Sequence, residues 1–204
     1  MSSVVSAHRA SEWEEGSAWR QRQAQASSED MVRGLFLRSS LRAIRAMGDE
    51  ALAQACVSAC GQARFFDFFS YPVRIHLEMM ATAVPVLALR HRDLERCLWM
   101  MGHCVAMDFL DSEPGRAIQV LVRGEAKRLV NNLPSTYQLS INGERSVKWM
   151  GPQCCRLTMR RDFLPTAFHE GMLVAMLEGL QARRVRVSGR ALGLLDSEYD
   201  LTWQ

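Results

Sequence analysis

The stretch CRLTMRRDFLPTAFHEGMLVAMLEGLQARRVRV, Cys155 to Val187, decides the fold. Cys155, Leu157 and Met159 alternate with Arg156, Thr158 and Arg160, the period-two pattern of a half-buried strand. Asp162 offers a helix N-cap and Pro165 falls in the first turn, where a missing N–H does no harm. The helix that follows puts Leu173, Met176, Leu177 and Leu180 on one face. The small residues Gly171, Ala175 and Gly179 form an adjacent stripe, which predicts close packing against a sheet. Arg184, Arg186 and Ser188 then alternate with Val185 and Val187, so the chain returns as a strand. The expected core is a helix laid across one face of an antiparallel sheet.

Upstream the period is helical. Ser27 or Ser28 is expected to cap a helix through Met31, Val32, Leu35, Phe36, Leu41, Ile44 and Met47, ended by Gly48. Asp49 caps a second helix carrying Leu52, Ala55, Cys56 and Ala59. Further helices are expected over Pro72–Arg90, with a kink at Pro85, over Arg92–Asp111, from Ser112 and Pro114 through Val122, and over Glu125–Leu133. From Thr136 the period changes to two. Tyr137, Leu139 and Ile141 predict a strand, Asn142-Gly143 a type I′ hairpin, and Val147 and Trp149 its return strand. Gly151-Pro152 makes the next turn, and Tyr199, Leu201 and Trp203 mark a last strand. The class is therefore α+β, N-terminal helices followed by a mainly antiparallel sheet of about five strands with a crossing helix.

With 204 residues, 48% apolar and 23% charged, the chain has the composition of one globular domain. Residues 1–28 read as a flexible polar tail and 29–204 as the domain. The tail carries Trp13 and Trp19, read either as anchors for a protein partner or as residues folding back on the domain. A net charge of +3 is too small to imply nucleic acid, and no run approaches a membrane span. Without a leader of signal-peptide length the expected location is cytoplasmic, where the six cysteines stay thiols. No pair has C-x-x-C spacing, so no metal is expected.

No P-loop, G-x-G-x-x-G, H-E-x-x-H or G-x-S-x-G is present. His169 beside Glu170 with Arg161, and the Cys104/His103 and Cys154/His169 pairs, are the only acid–base or thiol candidates, and no enzyme is expected. Two binding surfaces are expected instead. Phe66, Phe69, Tyr71, Met101, Leu139, Trp149 and Met176 are candidates to line a cavity for an apolar small molecule. Lys148, Arg156, Arg160, Arg184 and Arg186 would make the outer sheet face basic against few acids, a docking or self-association face.

Phe66-Asp67-Phe68-Phe69-Ser70-Tyr71-Pro72, Asn131-Asn132-Leu133-Pro134-Ser135, Gly143 to Val147, Arg160 to Phe163 with His169 to Gly171, and Leu194 to Tyr199 resemble an uncharacterised paralogous family expanded in myxobacteria. More distantly, the order of elements, with the helix around Glu170 to Leu180, is similar to the superfamily uniting haem-nitric-oxide-binding domains, vinyl-reductase-type ligand domains and Bet3-like tethering subunits. That resemblance implies either a signalling domain with a haem, small hydrophobic ligand or acyl chain between helices and sheet, or a dimeric adaptor. Haem binding in the superfamily uses a histidine after the Asn-Leu segment and a Tyr-x-Ser-x-Arg motif. Here Asn132-Leu133-Pro134-Ser135-Thr136-Tyr137 holds no histidine, and Leu157 to Arg161 keeps only an arginine. The expectation is a non-enzymatic regulatory or sensory domain that binds an apolar small molecule between helices and sheet and has no cofactor, haem not being expected by the usual histidine ligation. The alternative is a ligand-free dimeric adaptor.

Overall fold

The computed structural model describes residues 17–62, 64–138 and 143–204. The chain runs α1 (Ser17–Gln25), β1 (Met31–Arg33), α2 (Gly34–Met47), α3 (Glu50–Ala59), β2 (Ser70–Pro72), α4 (Val73–His91), α5 (Leu94–Asp111), α6 (Glu113–Val122), α7 (Ala126–Gln138), β3 (Glu144–Gly151), β4 (Cys154–Arg160), α8 (Thr166–Glu178), β5 (Arg186–Ala191) and β6 (Ser197–Thr202). Helices precede the main sheet, as the pattern of periods predicts. That sheet is antiparallel, in the order β3-β4-β6-β5, and β1 and β2 form a separate two-stranded ribbon.

Local chemistry accounts for the helix starts. The Asp49 carboxylate accepts from Leu52 N at 2.8 Å, Asp93 from Arg96 N at 3.0 Å, and the Ser112 hydroxyl from Gly115 N at 3.2 Å. Each satisfies one of the donors that a helix N-terminus leaves open. Pro85 lies inside α4 and Pro134 inside α7.

The sheet register sorts its side chains into rows. Val147, Leu157, Tyr199 and Gly189 stand opposite one another, as do Trp149, Cys155, Leu201 and Val187. Leu157, Cys155, Tyr199 and Leu201 are fully buried, so these rows face the core. The alternate rows, Lys148-Arg156-Asp200-Ser188 and Ser146-Thr158-Glu198-Arg190, face outward.

Four differences from the sequence reading have physical causes. Tyr137 is the last inward residue of α7, in step with Leu129, Val130 and Leu133, and not the start of a strand. A span of five residues fits either period. Leu139 and Asn142 lie outside the described residues, and the hairpin joining β3 to β4 turns at Gly151 and Pro152. Met31 to Arg33 pair with Ser70 to Pro72 instead of opening α2. Residues 17–25, expected in the tail, are helical, with Trp19 fully buried and Gln23 Nε2 donating to Glu78 Oε2 of α4 at 2.8 Å.

The fourth concerns the small-residue stripe of α8, which faces a helix and not the sheet. A Cβ at Gly171 would stand 1.9 Å from the Trp99 carbonyl oxygen, and one at Gly102 of α5 would stand 1.8 Å from the Phe168 carbonyl oxygen. The two helices cross at backbone contact, and neither glycine can be enlarged without moving a main chain. Gly171→Ala and Gly102→Ala are each expected to lower stability by about 2–3 kcal/mol, as overpacking does. Urea denaturation checks this; an unchanged midpoint for both would show that the crossing is looser than described.

Candidate functional site

Two features meet where β4 hands the chain to α8. One is a buried polar cluster centred on Asp162. Its carboxylate accepts from His169 Nε2 at 2.7 Å, from Leu164 N at 2.9 Å, and from Arg145 of β3 in an ion pair with both side chains buried. His169 Nδ1 lies 3.4 Å from the Tyr137 hydroxyl, which donates to the Met172 sulfur at 3.2 Å. The Tyr199 ring closes on His169 at 5.8 Å and its hydroxyl accepts from Ser197 Oγ at 3.0 Å. Asp162 is therefore the acceptor at the centre of the cluster and not the cap of α8, whose N-cap position is Pro165, with no side-chain cap.

Burial alone would raise the Asp162 carboxyl. The His169 imidazole, the Arg145 guanidinium and the Leu164 N–H outweigh it and hold the group well below the usual carboxylate range. Burial drives Tyr137 and Tyr199 upward, with Asp162 adding to the effect.

The second feature is a cleft of about 620 Å³ beside the cluster. Its walls are α1 (Ala18, Gln21, Arg22), the α4–α5 corner (Arg92 to Glu95, with Leu98), the start of α8 (Leu164 to Ala167) and the loop from Gly193 to Ser197. Asp162 also lines it. Arg22 Nη1 donates to the Asp162 carbonyl at 3.3 Å, and burial brings its guanidinium down to about 10, against the raising influence of Asp162 and Tyr199. Arg161 secures the same wall, with Nε and Nη2 on the Asp30 carboxylate at 2.7 and 2.6 Å and Nη2 on Gln25 O at 3.2 Å.

The described residues among those expected to line an apolar cavity are dispersed, and none of these lines this cleft. Met101 and Met176 are buried in the core, on α5 and α8. Trp149 is half-buried, donating to Asn131 Oδ1 at 2.9 Å and packed edge-on against Trp203. Tyr71 is half-buried with its hydroxyl accepting from Phe66 N at 3.0 Å, and Phe66 and Phe69 are exposed. Leu139 lies outside the described residues.

Of the expected docking residues, Trp13 is likewise outside them and Trp19 is in the core. On the outer sheet face Arg156 is held by Asp200 through two bonds of 2.7 and 2.8 Å, with Glu198 at 3.5 Å, and Glu198 also pairs with Arg190. That face is thus substantially neutralised. Lys148 and Arg160 share its exposed rows, Arg186 heads β5, and Arg184 precedes β5 at a φ of 49°.

The acid–base candidates are placed as follows. Glu170 Oε1 accepts from Gly189 N at 2.6 Å, and burial raises its carboxyl. His103 stacks on Trp99 at 5.1 Å. The six cysteines are free. Sequence reasoning missed Asp162 as a charge centre and Arg145 as its partner. The one signal was an arginine at an inward position of the period-two pattern, two residues before Val147.

The arrangement of elements is that of H-NOX domains. An H-NOX protein from S. oneidensis in the Fe(II)NO state superposes with a TM-score of 0.63 at 11% identity, covering 84% of this chain and 99% of that one. An oxygen-binding H-NOX domain related to soluble guanylate cyclases gives 0.64 at 8% identity over 84% and 95%. Unliganded Fe(II) H-NOX from K. algicida gives 0.60 at 10% over 84% and 96%. The chain itself belongs to the family described as Protein of unknown function (DUF2378), whose model matches residues 25–204. No curated protein matches the sequence.

These neighbours correct the expectation of a fold without a cofactor, since the S. oneidensis and K. algicida proteins hold Fe(II), the former with NO, and the third neighbour binds oxygen. Among the described residues the cleft lining contains no His, Cys, Met or Tyr, so that lining does not itself fit an iron group that needs such a ligand. His76 lies elsewhere, fully buried on α4. Its Nε2 is 3.0 Å from Ser40 Oγ, and its Nδ1 has no hydrogen-bond partner among the described residues.

Asp162→Asn removes a charge that Arg145 and His169 both face, and an expected loss of about 3–5 kcal/mol follows from leaving a buried cation uncompensated. Replacing Arg145 by Met in the same chain should restore part of that loss. If the double variant is no better than the single, the pair is not the source. Burial lowers His76 from 6.5 to about 4, so the folded state binds fewer protons than the unfolded chain between those values. Stability is therefore expected to fall as pH drops from about 6.5 toward about 4. Urea midpoints of wild type and His76→Gln across that range test it, the variant losing the slope.

Proposed function

We propose that this chain is a non-enzymatic sensory domain that takes a small molecule into the cleft beside Asp162 and reports it through the position of α1. The observation that carries the reading is that a cleft of ligand size has a helix from outside the sheet-and-α8 core as one of its walls. The H-NOX-like fold supports it, being a fold used for binding small ligands in the neighbours named above.

The lining indicates an amphipathic ligand. Leu94, Leu98, Leu164 and Leu194 offer an apolar bed, and Arg22 and Arg92 with the acids Asp93, Glu95 and Asp196 offer partners for a polar end. The uncapped first turn of α8 lies in the same wall and favours an acceptor group. α1 is tied to the cleft by Arg22 to the Asp162 carbonyl and by Arg161 to Gln25 O, so an occupant touching Arg22 competes directly with the bonds that seat this helix.

The arrangement of His169 supports a role without chemistry. Both ring nitrogens are occupied, by Asp162 and Tyr137, and all three side chains are buried. A general base needs a free nitrogen facing substrate.

Native mass spectrometry of the protein from its own host, with an absorption spectrum of the same sample, tests the reading. An added mass of a few hundred daltons is expected, displaced in a Leu98→Trp variant that fills the cleft. A Soret band would identify that mass as an iron porphyrin, and a colourless adduct as another organic ligand. Adding the released compound at about 100 times its Kd should stabilise the wild type by about 2.7 kcal/mol. A bare chain mass that no extracted compound shifts would refute the sensory reading.

A further inference from the structure

The turn from Arg64 to Phe69 holds three phenylalanine rings in water. Phe66, Phe68 and Phe69 are 51%, 74% and 64% exposed, whereas Phe65 is buried, edge-on to Tyr71 with ring centroids 5.5 Å apart. The exposed rings do not belong to a loose segment. Phe66 N donates to the Tyr71 hydroxyl at 3.0 Å, and Phe69 N to Phe66 O at 3.1 Å. The carbonyl of Asp67 accepts from Leu35 N, that of Phe69 from Gly34 N, and that of Phe68 from Arg33 Nη1, at 3.1, 2.9 and 3.0 Å. The turn rests on Gly34, where a Cβ would come within 2.0 Å of the Phe66 carbonyl oxygen.

A backbone fixed this firmly normally serves to bury its large rings, and here it displays them. Apolar groups grouped on a surface mark a contact. Charge around the patch says what kind. Arg64 lies over the Phe66 ring at 5.2 Å and is exposed, as is Arg33. The acid within the turn, Asp67, is matched by Arg38 through two bonds of 2.7 Å. The rim is therefore cationic, with its one carboxylate neutralised.

We propose that the Arg64–Phe69 turn docks the domain on a bilayer surface bearing anionic lipids. The rings enter the boundary between headgroups and acyl chains, and the Arg33 and Arg64 guanidiniums meet lipid phosphates. No described helix is long and apolar enough to cross a membrane, so this contact is peripheral. It goes beyond the sensory reading and uses no residue of the cleft.

Sedimentation of the full chain with vesicles tests it, using phosphatidylcholine alone and phosphatidylcholine mixed equally with phosphatidylglycerol. Binding is expected to the mixed vesicles and not to the neutral ones. Phe68→Ser with Phe69→Ser should weaken it by about tenfold or more, because less apolar area is buried. Arg64→Glu should weaken it as well. The altered side chains are exposed, so melting temperatures should match wild type and separate lost docking from lost folding. Wild type that fails to sediment with the mixed vesicles, or a double serine variant that binds as well as wild type, overturns the proposal. So does a concentration-dependent dimer in light scattering that the serine variant abolishes while vesicles capture neither protein, which would give the patch to a second copy of the chain.

Discussion

Everything in this fold is built around the crossing of α5 and α8 at Gly102 and Gly171. Each glycine faces a carbonyl oxygen of the other helix at a distance no Cβ could occupy. Close approach of two main chains maximises dispersion contact, and it fixes the rotation of α8 about its own axis. With one stripe committed to α5, the remaining faces of α8 must meet the sheet and the Asp162 turn. Nine of its thirteen residues are buried, which explains why it is apolar nearly all round.

That rotation places the polar groups. His169 is carried to the Asp162 carboxylate and Glu170 to the Gly189 N–H at the sheet edge, so α8 is joined by hydrogen bonds to both the turn that precedes it and the strand that follows. Arg145 from β3 and Tyr137 from α7 complete the cluster from two further elements. A buried charge network of this kind adds little net stability over an apolar core, but it penalises every arrangement in which one member is missing. It thereby fixes the geometry of the turn that forms one wall of the cleft, while α1, seated by the buried Trp19 and by Arg22 on the Asp162 carbonyl, supplies the opposite wall.

The reading of the sequence fared best where one periodicity ran long enough to be unambiguous. Cys155 to Arg160, the body of α8, and Tyr199 to Trp203 each show which residues face inward, and the observed register agrees. Caps such as Asp49 and Ser112 were legible because their chemistry is confined to three residues. Tyr137 was misread because its inward position fits both a strand and a fourth turn of α7. Trp19 lies in a segment whose neighbours are polar, and only its tertiary partners show that it is buried. The expected cavity residues were chosen as large and apolar, a criterion that does not separate a core residue such as Met101 from an exposed one such as Phe69.

By itself, then, the sequence determined the class, the order of helices before sheet, and which face of each strand is apolar, because these follow from side-chain period and local capping. It also determined that α8 would carry a stripe of small residues. Only the tertiary structure decided that the stripe meets α5 and not the sheet, that Asp162 gathers Arg145, His169 and Leu164 N, and that the cleft opens against α1. Those outcomes depend on groups far apart in the chain, Arg22 with Asp162 across 140 positions and Arg161 with Asp30 across 131, and no local pattern records such a meeting.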